Sequence, residues 1–308
     1  MRRGLAGGRC DGLDPAETCV LSQPRSASLP WQGDRRNSAA ASAFVRSIRS
    51  ADLHVFSGNG GVVDWESWQH SWDRQQELYL PEREERFRVM MDVVAAAVGP
   101  TPHVLDLACG TGTISRRLLE RMPRARSVAV DMDPTMLAIA RGSFQGDSRI
   151  TFVTADLSDP GWMESLPIEP FDAVLTATSL HWMKSEAVMR LYADLAKLVR
   201  PGGVFLNADH MPDPETPILN AIDEVIQKAH QERARVTGAL DWEQWWATVA
   251  GDPGFAEEHA GSRAIFDRHG GGDEHPIGWH CLRLKEAGFL ETGVAWRSIN
   301  DAMVVAVR

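Results

Sequence analysis

The 308-residue sequence has four cysteines, Cys10, Cys19, Cys109 and Cys281, and no two of them stand at C-x-x-C spacing. That lack removes a zinc ribbon and a disulfide framework from consideration and fits a reducing cytoplasm. No apolar run approaches the roughly 20 residues that a bilayer helix needs, so no membrane partner is expected. Basic clusters interleaved with aromatics are also missing. The first fifty residues carry eight Arg against four acids, which leaves 24 basic against 38 acidic residues in the body of the chain. A body that acidic repels a phosphate backbone, and a nucleic-acid partner is not expected.

Residues 1–50 have little apolar periodicity and are rich in Ser, Ala, Gly and Arg, so they are expected to form a poorly ordered leader. The opening "MRRG" resembles the start of an export signal, but the apolar segment that such a signal needs does not follow.

From Val104 onward, apolar strands and amphipathic helices alternate at the intervals of βαβ units. Expected strands are His103–Leu107, Ser127–Asp131, Ile150–Ala155, Phe171–Ala177 and Gly203–Ala208. Ile114, Leu118 and Met122 recur at helical spacing, as do Val188, Leu191, Leu195 and Leu198. Asp133 before Pro134 reads as a helix start, and "RPGG" at 200–203 as a stop. The alternation predicts an α/β, doubly wound parallel sheet with its ligand beyond the carboxyl ends of the strands. The last twenty residues predict two strands, about Glu291–Ser298 and Ala302–Val307, whose short link allows only an antiparallel hairpin.

The stretch "VLDLACGTGTIS" carries the most chemistry. No Lys follows Gly112, which removes a P-loop. A dinucleotide fingerprint fits poorly, since Ser115 and Arg116 stand where a third small residue belongs. Asp106 would repel a pyrophosphate, whereas it would attract an ammonium or a sulfonium, and S-adenosylmethionine carries both. Gly110 and Gly112 let the backbone approach such a ligand closely. Asp131 ends the second strand nineteen residues after Gly112, the distance of a carboxylate that accepts ribose hydroxyls. Asp156 follows the third strand, where it could accept from an adenine amino group while Leu157 covers the ring.

With "VAVDMDPTML", "ITFVTADL", "FDAVLTATSLHWM", "LVRPGGVFL" and "LKEAGF", the chain from Trp65 to Arg308 resembles a class I S-adenosylmethionine-dependent methyltransferase of the small-molecule type, similar to the trans-aconitate enzymes. The resemblance implies a Rossmann-like seven-stranded sheet of order 3-2-1-4-5-7-6 with strand 7 antiparallel. It implies cofactor contacts at Asp106, Ala108, Gly110, Thr111 and Gly112 in the turn. Beyond the turn it implies Asp131, Met132, Asp156, Leu157 and Thr176. Ala108 departs from the glycine usual there.

Methyl transfer from a sulfonium is an in-line displacement that asks for alignment and exclusion of water. His181, just after the fourth strand, is the candidate base for an oxygen or nitrogen acceptor. No Asn/Asp-Pro-Pro-aromatic motif occupies that segment, which again points to a small acceptor. Residues 51–100 are expected to form an N-terminal helical lid, with Trp65, Trp68 and Trp72 on one stripe, and 101–308 the catalytic domain. Within the latter, 211–278 forms a helical substrate cap between strands 5 and 6. Trp72, Tyr79, Trp182, His210 and Trp246 are the expected pocket residues. His269, His275 and His280 match no metal-ligand spacing and are expected in a mobile glycine loop. Two alternatives stay open: a binding protein without catalysis, and a carboxyl methyltransferase of a small organic acid, which would need an Arg in the pocket. A nicotinamide oxidoreductase is opposed by Asp106 and by the terminal hairpin.

Overall fold

Alternating burial along each strand sends its side chains to two opposite faces, so the sheet must be covered on both. Val104, Ala173, Leu175, Val204 and Leu206 line one face, and Leu105, Leu107, Val174 and Phe205 the other. The computed structural model describes residues 63–308 except 168, 237, 269 and 270. The expected leader, the start of the expected lid and His269 therefore lie outside the described residues.

Seven strands form one sheet: β1 His103–Leu107, β2 Arg126–Asp131, β3 Ile150–Thr154, β4 Phe171–Ala177, β5 Val199–His210, β6 Glu291–Arg297 and β7 Asp301–Val307. Their order is β3-β2-β1-β4-β5-β7-β6. Strands β1 to β5 pair in parallel, and β7 runs antiparallel between β5 and β6. This is the order that the resemblance implied. Observed strand ends lie within one residue of those expected, except that β5 starts four residues earlier, where Val199 pairs with Phe171, and ends two later, where Asp209 and His210 pair with Ala302 and Asp301 of β7.

Before the sheet come α1 (Trp65–Glu77) and α2 (Arg83–Val98). Asp64 caps α1 by accepting from the Ser67 N–H at 3.1 Å, satisfying one of the orphan donors of the first turn. Phe87, Met90 and Val94 of α2 pack on the first face with Ile114 and Leu118 of α3 (Thr113–Arg121). The opposite face is covered by α5 (Ser185–Leu198) and α9 (Ile277–Ala287) through Val188, Leu191, Leu195 and Leu284. Asp133 and Pro134 begin α4 (Pro134–Ser143) as expected, with Asp133 accepting from the Met136 N–H. The insertion between β5 and β6 holds α6 (Pro217–Val236), α7 (Trp242–Gly251) and α8 (Ala256–Phe266). Among the described residues no helix is long and apolar enough to cross a membrane.

The tryptophan stripe of α1 packs on that insertion. Trp68 meets Trp245 and Phe255 edge-on at 5.9 and 4.9 Å, Trp65 meets Phe255 at 5.7 Å, and Trp72 meets Trp245 at 4.9 Å. Met136 and Ile139 of α4 complete the cluster. Each edge-on pair contributes about 0.5–1.5 kcal/mol beyond the area it buries, so the two segments, far apart in sequence, stabilise one another. Trp65 also lies flat against Gly142, where an added Cβ would fall 2.1 Å from its ring.

Candidate active site

The carboxyl ends of the parallel strands β1, β2, β4 and β5 lie along one edge of the sheet, where the expected binding crevice belongs. After β1 the chain turns through Ala108 (φ 50°), Gly110 (φ 55°) and Gly112 (φ 80°), all in the left-handed region. Glycine adopts that region freely and alanine at a cost of about 1 kcal/mol, which is what the departure at Ala108 means physically. Nothing lies within 4 Å of a Cβ built on Gly110. The backbone there faces open space that a ligand can fill.

Asp106 is fully buried beneath this turn. Its Oδ2 accepts from the Ser115 N–H at 3.0 Å and the Ser115 hydroxyl at 2.6 Å, tying β1 to the first turn of α3. Its Oδ1 is buried without a partner. Burial pushes its carboxyl up to about 7, against the two Ser115 bonds. Asp131 closes β2 with both oxygens held: the Gly110 N–H donates to Oδ2 at 2.7 Å and the Asp133 N–H to Oδ1 at 2.8 Å. Each oxygen keeps lone-pair capacity for a further donor. Burial raises Asp131 to about 6. The open space over Gly110, the orphan oxygen of Asp106 and the presented carboxylate of Asp131 all suit a ligand with a ribose and a cationic end.

Asp156 sits in the turn after β3 and accepts from the Ser158 N–H at 2.8 Å. Leu157 packs half-buried on the sheet, and Met132 is half-buried between Asp131 and Asp133. Thr111 and Thr176 are fully buried. The Thr176 hydroxyl donates to the Leu107 carbonyl at 3.0 Å and meets Ser179 at 2.6 Å, so it joins β4 to β1. Beside the turn, Thr113 Oγ1 donates to Asp73 of α1 and accepts from Gln69, with buried Arg83 ion-paired to Asp73 at 2.9 Å. Sequence reasoning did not find this clamp, because its members are close only after α1 has folded onto α3.

A second missed residue is Asp209, near the end of β5. Its Oδ1 lies 2.6 Å from His181 Nδ1, and its Oδ2 accepts from the N–H groups of Leu180 and His181 at 3.0 and 3.3 Å. The carboxylate is buried and the imidazole partly exposed. Burial pushes the His181 imidazolium down, but the Asp209 charge and hydrogen bond outweigh it, and the net shift is upward; Asp209 is held low by the same pairing against its own burial. The rule that located Asp106, Asp131 and Asp156, an acid at a strand end, would also have found Asp209.

His210 repeats the arrangement. Its Nδ1 lies 3.2 Å from Asp301 Oδ1, while Arg86 Nη2 holds Asp301 Oδ2 at 2.5 Å. The structure thus gathers His181, Trp182 and His210 at the strand ends, with Trp182 exposed beside the His181 ring. It gathers Trp72, Tyr79 and Trp246 elsewhere, among the aromatics that join α1 to the insertion. Tyr79 Oη accepts from the Trp242 N–H at 3.0 Å, and Trp246 packs on Trp242, Trp245 and Phe266.

The expected mobile loop is corrected in part. Asp273 accepts from the Ser185 N–H and hydroxyl and from Lys184, and its own N–H donates to the Met183 carbonyl. A Cβ on Gly272 would fall 2.0 Å from the His181 carbonyl oxygen and 2.3 Å from the Trp182 carbonyl carbon. Gly272 allows close approach to the His181 segment, and the two histidines that follow are packed: His275 stacks on Trp279 at 3.7 Å, and buried His280 meets the Tyr192 hydroxyl at 2.7 Å. No group of metal-ligating side chains occurs among the described residues.

Strand order, glycine turn and the acid after β2 agree with the arrangement that the resemblance implied. Residues 104–203 match the family model described as "Methyltransferase domain". Similar curated proteins include the trans-aconitate 2-methyltransferase of Acidovorax ebreus (strain TPSY), 36% identical over 182 residues, which is 59% of this chain and 61% of the relative. The trans-aconitate 2-methyltransferase of Escherichia coli (strain K12 / DH10B) is 32% identical over 142 residues, covering 46% of this chain and 52% of the relative. The chain therefore spans about half to three-fifths of the length of these relatives. Among solved structures, an O-methyltransferase family protein from Burkholderia thailandensis is similar with a TM-score of 0.47 and 20% identity, over 79% of this chain and 69% of that one.

The expected role of Asp131 toward a ribose carries a pH dependence of cofactor binding, because a carboxylate accepts from hydroxyls more strongly than its protonated form. Affinity for S-adenosylhomocysteine should fall as pH drops through about 6, the value to which burial raises this group. Asp131→Ala should weaken binding by about 1–3 kcal/mol at neutral pH and remove the limb near 6, leaving only what Asp106, raised to about 7, contributes. Calorimetric titration at a series of pH values reads both, and a flat profile in the unsubstituted protein removes Asp131 from the ribose site.

Proposed function

We propose that this protein transfers a methyl group from S-adenosylmethionine to an oxygen or nitrogen of a small-molecule acceptor. The observation that carries the reading is the His181–Asp209 pair, placed at the end of β4 and β5 beside the glycine turn that fits the cofactor. When bound, the cofactor supplies an electrophilic methyl carbon. Everything else falls to the side chains of this chain. Asp131 holds the ribose, and the Arg83–Asp73–Thr113 clamp fixes α1 against the glycine turn. Helix α1 and the insertion act as lid and cap that keep water from the displacement.

His181 takes the acceptor's proton at Nε2, since Nδ1 faces Asp209. The buried carboxylate fixes that tautomer and stabilises the imidazolium that forms, as a paired acid does for a general base. A base must start neutral. Because Asp209 raises the His181 pKa above its ordinary value, turnover should climb with pH through a midpoint above about 6.5.

A second reading, methylation of a carboxylate, is favoured by one observation: His181 and His210 both have raised pKa values and can act as paired donors toward an anion. The relatives named for trans-aconitate agree with it. Its pH slope has the opposite sign, because the carboxylate needs no base and binds best to protonated histidines. Methyl transfer from S-adenosylmethionine to trans-aconitate and to a panel of phenols and amines, followed against pH, separates the two. Rising turnover on a hydroxyl or amine supports the base, and falling turnover on trans-aconitate supports the donor pair. Cofactor binding with no product from any acceptor would favour a binding protein without catalysis.

A further inference from the structure

The insertion reaches the ribose side of the crevice through one buried hydroxyl. Ser262, on α8, is fully buried, and its Oγ lies 2.7 Å from Asp133 Oδ1, 2.9 Å from Thr135 Oγ1 and 3.1 Å from the Glu258 carbonyl. A serine hydroxyl has one proton to give, and a carboxylate is the strongest of the three acceptors. Asp133 therefore receives it, on the same oxygen that accepts the Met136 N–H at 3.0 Å. Asp133 Oδ2 is buried with no hydrogen-bond partner, so the carboxylate is held by Oδ1 alone. The Asp133 N–H in turn donates to Asp131 Oδ1 at 2.8 Å. The contact is also sterically close: a Cβ on Gly261 would lie 2.8 Å from Pro134 Cγ, which seats α8 on the first turn of α4.

We propose that Ser262 is a positioning residue for the cofactor's ribose: through Asp133 it fixes the Asp131 carboxylate, so the ribose hydroxyls are met in full only when the insertion is seated on α4. This rests on the cofactor reading above. Acceptor cap and cofactor site are then one coupled unit. Without Ser262, Asp133 loses one of the two bonds on Oδ1, and the N–H that aims Asp131 Oδ1 is held in place by the cap of α4 alone.

The test compares S-adenosylhomocysteine with its 2′-deoxy analogue by calorimetry in the unsubstituted protein, Ser262→Ala and Asp133→Asn, with thermal midpoints to confirm folding. In the unsubstituted protein the missing hydroxyl should cost about tenfold in affinity, one charge-assisted hydrogen bond. In Ser262→Ala, S-adenosylhomocysteine should weaken by about tenfold while the deoxy analogue changes by less than about twofold, because the two losses are one interaction. Asp133→Asn, whose Oδ1 still accepts from Ser262 and from the Met136 N–H, should keep most of the discrimination. Equal weakening of both ligands, or no weakening, would overturn the role of Ser262 while leaving the cofactor reading in place. Failure of the unsubstituted protein to bind either ligand would instead strike the cofactor reading and take this one with it.

Discussion

His181→Ala should slow methyl transfer by about 10²–10⁴-fold, the range that a positioned general base contributes, and leave S-adenosylhomocysteine affinity unchanged. The split matters because the proposal assigns His181 to the acceptor and Asp131 with the glycine turn to the cofactor. Asp209→Asn should also slow turnover, since an amide cannot stabilise the imidazolium. It should move the rising limb of the pH profile downward as well, because Asp209 is what outweighs burial and lifts the His181 pKa. Steady-state rates against pH for the two variants read this directly. A loss of rate in Asp209→Asn with the limb unmoved would mean that the aspartate acts only as packing for the turn after β4.

Gly272→Ala should be nearly as damaging, although Gly272 carries no chemistry. The added methyl would sit 2.0 Å from the His181 carbonyl oxygen and 2.3 Å from the carbonyl carbon of Trp182, both backbone atoms. Ordinary contact begins near 3.4 Å, so either the loop or the His181 segment has to retreat by more than 1 Å. A displacement of that size at a reacting group can cost about 10²-fold in rate. Overpacking of this kind also destabilises by about 1–3 kcal/mol, which a thermal melt detects. Cofactor affinity should hold, since Gly272 is remote from Asp131. A variant with full turnover would show that the loop, and not the His181 segment, absorbs the strain.

Much of the scaffold was legible because its signals are local. Alternating apolar runs marked every strand but β5 to within a residue, and Asp133-Pro134 marked the start of α4 through its own capping chemistry. The order of the sheet came from the resemblance, carried by the glycine turn and the terminal hairpin. What was not legible depends on which elements become neighbours. Asp209 gains meaning only when β4 and β5 pair and bring its carboxylate under the Leu180 and His181 N–H groups. The tryptophans of α1 read as a stripe on one helix face, and nothing in that stripe says that it faces the insertion. The histidines after Gly272 looked like a loose cluster because stacking on Trp279 and bonding to Tyr192 are long-range facts.

The measurement closest to the central claim is calorimetric titration of the purified protein with S-adenosylhomocysteine beside NADH. The glycine turn, the orphan oxygen of Asp106 and the ribose carboxylate of Asp131 predict a Kd on the order of micromolar, about −8 kcal/mol, for the first and no saturable heat for the second. Binding of NADH in preference to S-adenosylhomocysteine would contradict the assignment of the crevice and with it the proposed methyl transfer.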